Sequence, residues 1–164
     1  MNDHVVDTNV LLVASAAHPH SPFDDTHVPI AEQRAVFEWL SAFRGDSCRQ
    51  LVLDELFEIY KEYRNRLTDQ DFGLQVVAEK LNSVRQVWLD RDADGAVVVP
   101  DPSRHFDPSD HKLLAAALTD APTISIVNAC DSDWPQIEAE LLAAGIHVEH
   151  IVEVWLRAYH AGRQ

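Results

Sequence analysis

The chain has 164 residues, 46% of them hydrophobic, the length of one ordinary domain with enough apolar material for a sizeable core. Lys plus Arg number 13 against 27 Asp plus Glu, a net charge of −14. Affinity for phosphate backbones comes from counterions released around basic patches, so this balance excludes broad attachment to nucleic acid and confines any such contact to a local site. No apolar run approaches the roughly 18 residues of a membrane span, and the start of the chain lacks a signal peptide's basic region and apolar stretch. The expectation is one domain over 1–164 without a linker, no membrane contact and a cytoplasmic location.

In chain order, His4 to Val6 reads as a first strand, followed by Asp7 at its carboxyl end. The stretch HPHSPFDDTHVP, rich in proline and histidine, reads as a loop whose histidine spacings match no compact metal motif. IAEQRAVFEWLSAF has apolar residues at Ile30, Val36, Phe37, Trp39, Leu40 and Phe43, a helical spacing that stops at Gly45. Leu51 to Leu53 is a short extended run and Asp54 a helix N-cap. Leu56, Ile59, Tyr60, Tyr63 and Leu67 then form a helical stripe. A helix over Phe72 to Val84 precedes extended runs at Val87 to Leu89 and Ala96 to Val99.

FDPSDHKLLAAALTDA carries a helix start: Asp107 can cap, Pro108 suits the first helical position, and Asp110 falls three residues after the cap. TISIVN is a β-branched buried strand. The helix WPQIEAELLAAG closes at Gly145, IHVEHI is a last strand and VEVWLRAYHAG a last helix. Strands alternating with helices predict a parallel sheet covered on both faces. Cys48 and Cys130 have no CxxC spacing, so the expectation is two buried free thiols rather than a zinc site or a disulfide.

Acids stand at four places that this pattern can bring together: Asp7 after the first strand, Glu62 on YKEYRNRL, Asp107 and Asp110 at the start of one helix, and Asp131 and Asp133 after TISIVN. Parallel strands share one carboxyl edge, where open α/β sheets bind ligands. Crowded carboxylates raise each other's pKa unless a divalent cation neutralises them, and oxygen ligands suit Mg²⁺ or Mn²⁺. Bland readings stand beside these. Asp7 can cap the next segment, and Glu62 has rivals in Glu55 and Glu58 and ion-pair partners in Lys61 or Arg66. Asp107 is assigned to the cap and Asp110 to the metal; Asp133 has the alternative of capping the helix at Trp134. Of Lys61, Arg64 and Arg66, at least two are expected on a solvated face, and one turned to the site edge would supply a local phosphate contact.

VVDTNVLL, then IYKEYRNRL, DPSDHKLLAAAL and NACDSDW, resemble the PIN-domain nucleases in order and in the elements that carry them. The resemblance implies an α/β fold, a three-layer sandwich with a central parallel sheet. It also implies Mg²⁺- or Mn²⁺-dependent cleavage of phosphodiesters, most often in RNA. Carried over by position, Asp7, Glu62, Asp110 and Asp131 are the acids of the site, with Asp133 near the metal and Thr8 and Asn9 in support. Many members have Ser or Thr two residues before the fourth acid. Here Ala129 stands there, and Asn128 is the nearest polar residue; Asn128 and Arg64 complete the expected substrate contacts. The family includes toxins of toxin-antitoxin pairs, so an antitoxin protein is a partner to consider beside an RNA substrate, and apolar helices such as VEVWLRAYHAG can serve either the core or a homodimer interface. A PIN-like module that only holds a protein or RNA partner is the rival reading. A nucleotide-processing α/β enzyme ranks last, because GxxxxGK[ST] and GxGxxG are both absent.

Overall fold

A computed structural model describes residues 3–100 and 106–163. It is a mixed α/β structure built on short parallel strands. β1 (Asp3–Val6), β4 (Ile124–Asn128) and β5 (His147–His150) form one sheet in the order β1-β4-β5, and β2 (Val52–Asp54) pairs with β3 (Arg85–Val87). An isolated parallel bridge from His4 to Leu51 sets β2 beside β1, so that the strands run β3-β2-β1-β4-β5. Val5 and Val6 of β1 and Ile126 and Val127 of β4 are fully buried. That explains why these strands read as continuous apolar runs rather than as alternating ones.

Among the described residues the α-helices are α1 (Thr8–Ala17), α2 (Ile30–Gly45), α3 (Glu58–Arg66), α4 (Phe72–Lys80), α5 (His111–Leu118), α6 (Asp133–Gln136), α7 (Glu138–Ala143) and α8 (Glu153–Ala161). α1 packs on α2 and α4, while α5 packs on β1, β2, β4 and α3. α1 and α4 meet closely at Gly73. A Cβ there would lie 2.7 Å from the Leu11 carbonyl oxygen, and the Gly73 amide donates to Ser15 Oγ at 2.8 Å.

Several boundaries differ from the sequence reading. α4 ends at Lys80 rather than Val84, and Leu81–Ser83 is a 3₁₀ turn. Lys80 is buried with its ammonium on the carbonyls of Asp46 and Arg49 at 2.7 and 2.8 Å, which draws the helix end inward. β3 begins two residues earlier than expected because Arg85 pairs with Val52 and its amide donates to Leu51 O. The run from Ala96 to Val99 contributes only an antiparallel bridge between Arg91 and Val97 among the described residues. The expected helix after TISIVN is two short ones, broken at Ile137 (φ −112°, ψ 13°).

Ile30 and Leu56, placed on inward faces by periodicity, are 75% and 50% exposed, each at or before a helix start where the stripe has not yet reached the core. Cys48 is exposed and Cys130 half-buried, so the expectation of two buried thiols fails for Cys48; it lies in the turn after α2. No helix among the described residues is long and apolar enough to cross a membrane.

Candidate functional site

The parallel register decides where the site forms. Val6 pairs with Val127, and the Asp7 amide donates to Val127 O at 3.0 Å, so the chain leaving β1 and the chain leaving β4 emerge side by side. In the strand order, β1 and β4 are also where the connections diverge to opposite sides, the crevice at which open α/β sheets bind ligands. A cleft of about 410 Å³ opens there, lined by Asp7, Thr8, Asn9, Glu62, Arg66, Asp107, Asp110, Asp131 and Asp133, among others.

Each acid is held by its own local structure. Asp7 is 5% exposed and caps α1, one carboxylate oxygen accepting from the Asn9 amide at 3.3 Å. Its other oxygen accepts from the Trp134 indole N–H at 2.7 Å. The cap and the site readings of Asp7 are therefore compatible. Asp107 caps the 3₁₀ turn Pro108–Asp110, accepting from the Ser109 amide and hydroxyl, both at 2.9 Å; the turn presents Asp110 to the cleft with 8% exposure. Among the described residues, no hydrogen-bond donor reaches the Asp110 carboxylate.

Glu62 projects from α3, accepts from Thr8 Oγ1 at 2.6 Å and pairs with Lys112 of α5 at 2.5 Å. Asp131 follows β4 and accepts from the Asp133 amide at 2.8 Å. It is thus Asp131 that braces the start of α6, whereas Asp133 lies in the first turn, exposed.

The electrostatics follow from this crowding. Burial, with Asp131 and Glu62 adding to it against the hydrogen bonds from Trp134 and Asn9, pushes the Asp7 carboxyl up to about 7. Burial and then the charges of Asp7, Asp131, Asp107 and Glu62 push Asp110 up to about 8. Asp131 is raised too, by burial and then by Asp133 and Asp107 against its hydrogen bond to the Asp133 amide. The Cys130 thiol, desolvated beside Asp7 and Asp131, is pushed up to about 12 and offers no thiolate.

Of the polar residues expected to touch substrate, Thr8 and Asn9 line the cleft, whereas Asn128 and Arg64 do not. Asn128 is fully buried and turned inward. Its side-chain oxygen accepts from Asn9 Nδ2 and the Asp131 amide, both at 3.1 Å, and its Nδ2 donates to Asp131 O at 2.9 Å. Asn9 in turn accepts from the amides of Ala129 and Cys130 at 2.8 and 3.1 Å. These two asparagines hold the turn that carries Asp131. Arg64 points away from the cleft, paired with Asp69 at 3.1 Å; of the three basic residues on α3, Arg66 is the one that lines it. Glu55 and Glu58, the rivals of Glu62, are engaged by Arg91 at 2.9 and 3.1 Å.

Sequence reasoning missed Trp134 and Lys112, which engage Asp7 and Glu62, and the loop residues Asp25, Thr26 and His27, which line the cleft. Trp134 stood in NACDSDW, and its spacing from Asp131 was the available signal.

The donor set fits a hard divalent cation: carboxylates dominate the polar lining of the cleft, and three of them, Asp7, Asp110 and Asp131, are raised in pKa in the way a cation relieves. As the side chains stand, no group of three or more His, Cys, Asp or Glu among the described residues is gathered to hold an ion. Glu62 is drawn to Lys112 and Asp131 to its own turn. The chain matches no family model, no curated protein and no solved structure.

Proposed function

We propose that the protein is a Mg²⁺- or Mn²⁺-dependent endoribonuclease, with the sheet as the middle layer of a PIN-like three-layer sandwich. The observation that carries this reading is the convergence of Asp7, Glu62, Asp110, Asp131 and Asp133 on one cleft at the carboxyl edge of parallel strands. Mutually repelling carboxylates are costly in a metal-free scaffold and useful around a cation.

Asp7, Asp110 and Asp131 would hold the ion, with Glu62 beside them. When bound, such an ion supplies Lewis-acid polarisation of a phosphoryl oxygen and lowers the pKa of water. The chain's own contribution is orientation. Trp134 and Asn9 fix the two oxygens of Asp7, Asn128 and Asn9 fix the turn bearing Asp131, and the Pro108–Asp110 turn presents Asp110. Lys112 and Arg66 give an otherwise acidic cleft the positive charge that a phosphodiester requires.

One observation favours a non-catalytic binding module instead: Lys112 already neutralises Glu62. The two readings separate in one experiment, cleavage of single-stranded and structured RNA by the purified protein with Mn²⁺ and with chelator, beside Asp7→Asn and calorimetric Mn²⁺ titration. Nuclease action requires cleavage that is abolished by chelator and by Asp7→Asn. Absence of both cleavage and stoichiometric Mn²⁺ binding overturns it in favour of the module.

A further inference from the structure

At one edge of the cleft, a lining histidine is backed by two further rings. His27, on the loop before α2, lines the cleft and also packs on α8. Its imidazole stacks on Tyr159 at 5.0 Å between centroids and 29° between planes, and lies 5.8 Å from Trp155. Trp155 and Tyr159, four residues apart on one helix face, stack on each other at 5.0 Å and 16°. Arg163 adds a cation, its guanidinium 5.3 Å from the Tyr159 centroid and donating to the Tyr159 hydroxyl at 3.0 Å. His27 is exposed, while Trp155 and Tyr159 are half-buried.

We propose that this cluster is a base-stacking site, and that an unpaired nucleobase of the strand held in the acidic cleft docks on His27, backed by Tyr159 and Trp155. Aromatic faces with a neighbouring arginine bind any base through its π face, and do so only when the base is out of a duplex. Asp25 lines the cleft on the same loop, so this rim attracts the neutral base rather than another phosphate. The continuity of His27 with both the acids and the rings distinguishes this cluster from an ordinary loop-to-helix contact. The inference rests on the nucleic-acid reading of the cleft and adds that the substrate is single-stranded at the position beside it.

The test is anisotropy binding of a labelled ten-nucleotide single-stranded RNA and of the same sequence as a duplex. The proteins are full-length Asp110→Asn, to suppress cleavage, and the same protein with His27→Ala or His27→Phe; thermal melting of each checks the fold. His27→Ala is expected to weaken single-strand binding about tenfold, the scale of one base–aromatic stack. His27→Phe should restore it, a single abasic position in the RNA should remove the difference, and the duplex should be indifferent. Equal binding by the Ala and Phe proteins, equal loss on the duplex, or no single-strand binding at all overturns the inference. Cleavage confined to duplex RNA would do so while leaving the nuclease reading intact, and ring-dependent binding without metal-dependent cleavage would do the reverse.

Discussion

Replacing Asp110 by asparagine should stabilise the metal-free protein at neutral pH, an unusual outcome for a substitution at a buried site. Asp110 is 8% exposed and its carboxyl is pushed from 3.8 up to about 8, by burial first and then by Asp7, Asp131, Asp107 and Glu62. A carboxyl raised on folding binds its proton more tightly in the folded chain. Its favourable contribution is therefore complete below pH 3.8 and is lost as pH rises through about 8. At pH 7 the loss has a ceiling of about 4 kcal/mol, from the interval between 3.8 and 7 at roughly 1.4 kcal/mol per tenfold.

The acids titrate as a coupled group and relax one another's charge, so about 2 kcal/mol is the expected gain for Asp110→Asn. On a domain of this size that is a rise in Tm of roughly 4–8 °C. Urea denaturation in chelator at pH 4, 6 and 8 measures it. The two proteins should be nearly equal at pH 4, where Asp110 is protonated and close in shape to asparagine, and should diverge as pH rises. Millimolar Mn²⁺ at pH 8 should then raise the Tm of the wild type and leave the variant little changed. An Asp110→Asn protein less stable than wild type at pH 8, or one with the same pH slope, would refute the claim that like charge and burial act on this carboxylate.

Asn9→Ala should cost about 2–4 kcal/mol in urea denaturation and increase hydrogen exchange at Ala129 and Cys130, because it leaves both amides without their acceptor. Gly73→Ala should lose about 1–3 kcal/mol by thermal melting, since its Cβ would press on Leu11 and Ser15; Gly45→Ala, which meets nothing within 4 Å, should be tolerated. Lys112→Met should tighten Mn²⁺ binding by up to about fivefold in calorimetry, the scale of a partly exposed ion pair, by releasing Glu62, and should weaken RNA binding in parallel. Arg66→Ala should lower RNA cleavage severalfold at low salt, on the order of a single phosphate contact, while Arg64→Ala leaves it unchanged.

The elements were legible wherever a segment was apolar on a clear period. α2 runs from Ile30 to Gly45 as the spacing and the closing glycine imply, and β1 and β4 match HVV and TISIVN to within one residue. The middle of the chain was less legible because its boundaries are set by distant partners: Lys80 ends a helix by reaching the carbonyls of Asp46 and Arg49, and Arg85 starts a strand by pairing with Val52. Positions of the acids were readable from their places after strands and at a helix start. Roles of the neighbouring polar groups were not, since Asn128 and Arg64 look equally suited to a substrate until burial turns one inward and Asp69 draws the other away.

By itself the sequence determined an α/β alternation, an acidic chain, and carboxylates at strand ends, because these depend on local periodicity and composition. Only the tertiary structure decided which donors brace those carboxylates, that Lys112 competes for Glu62, and that a loop histidine meets the last helix at the cleft. Such pairings join residues 50 to 132 positions apart. They exist only once the parallel register brings the carboxyl ends of β1 and β4 together.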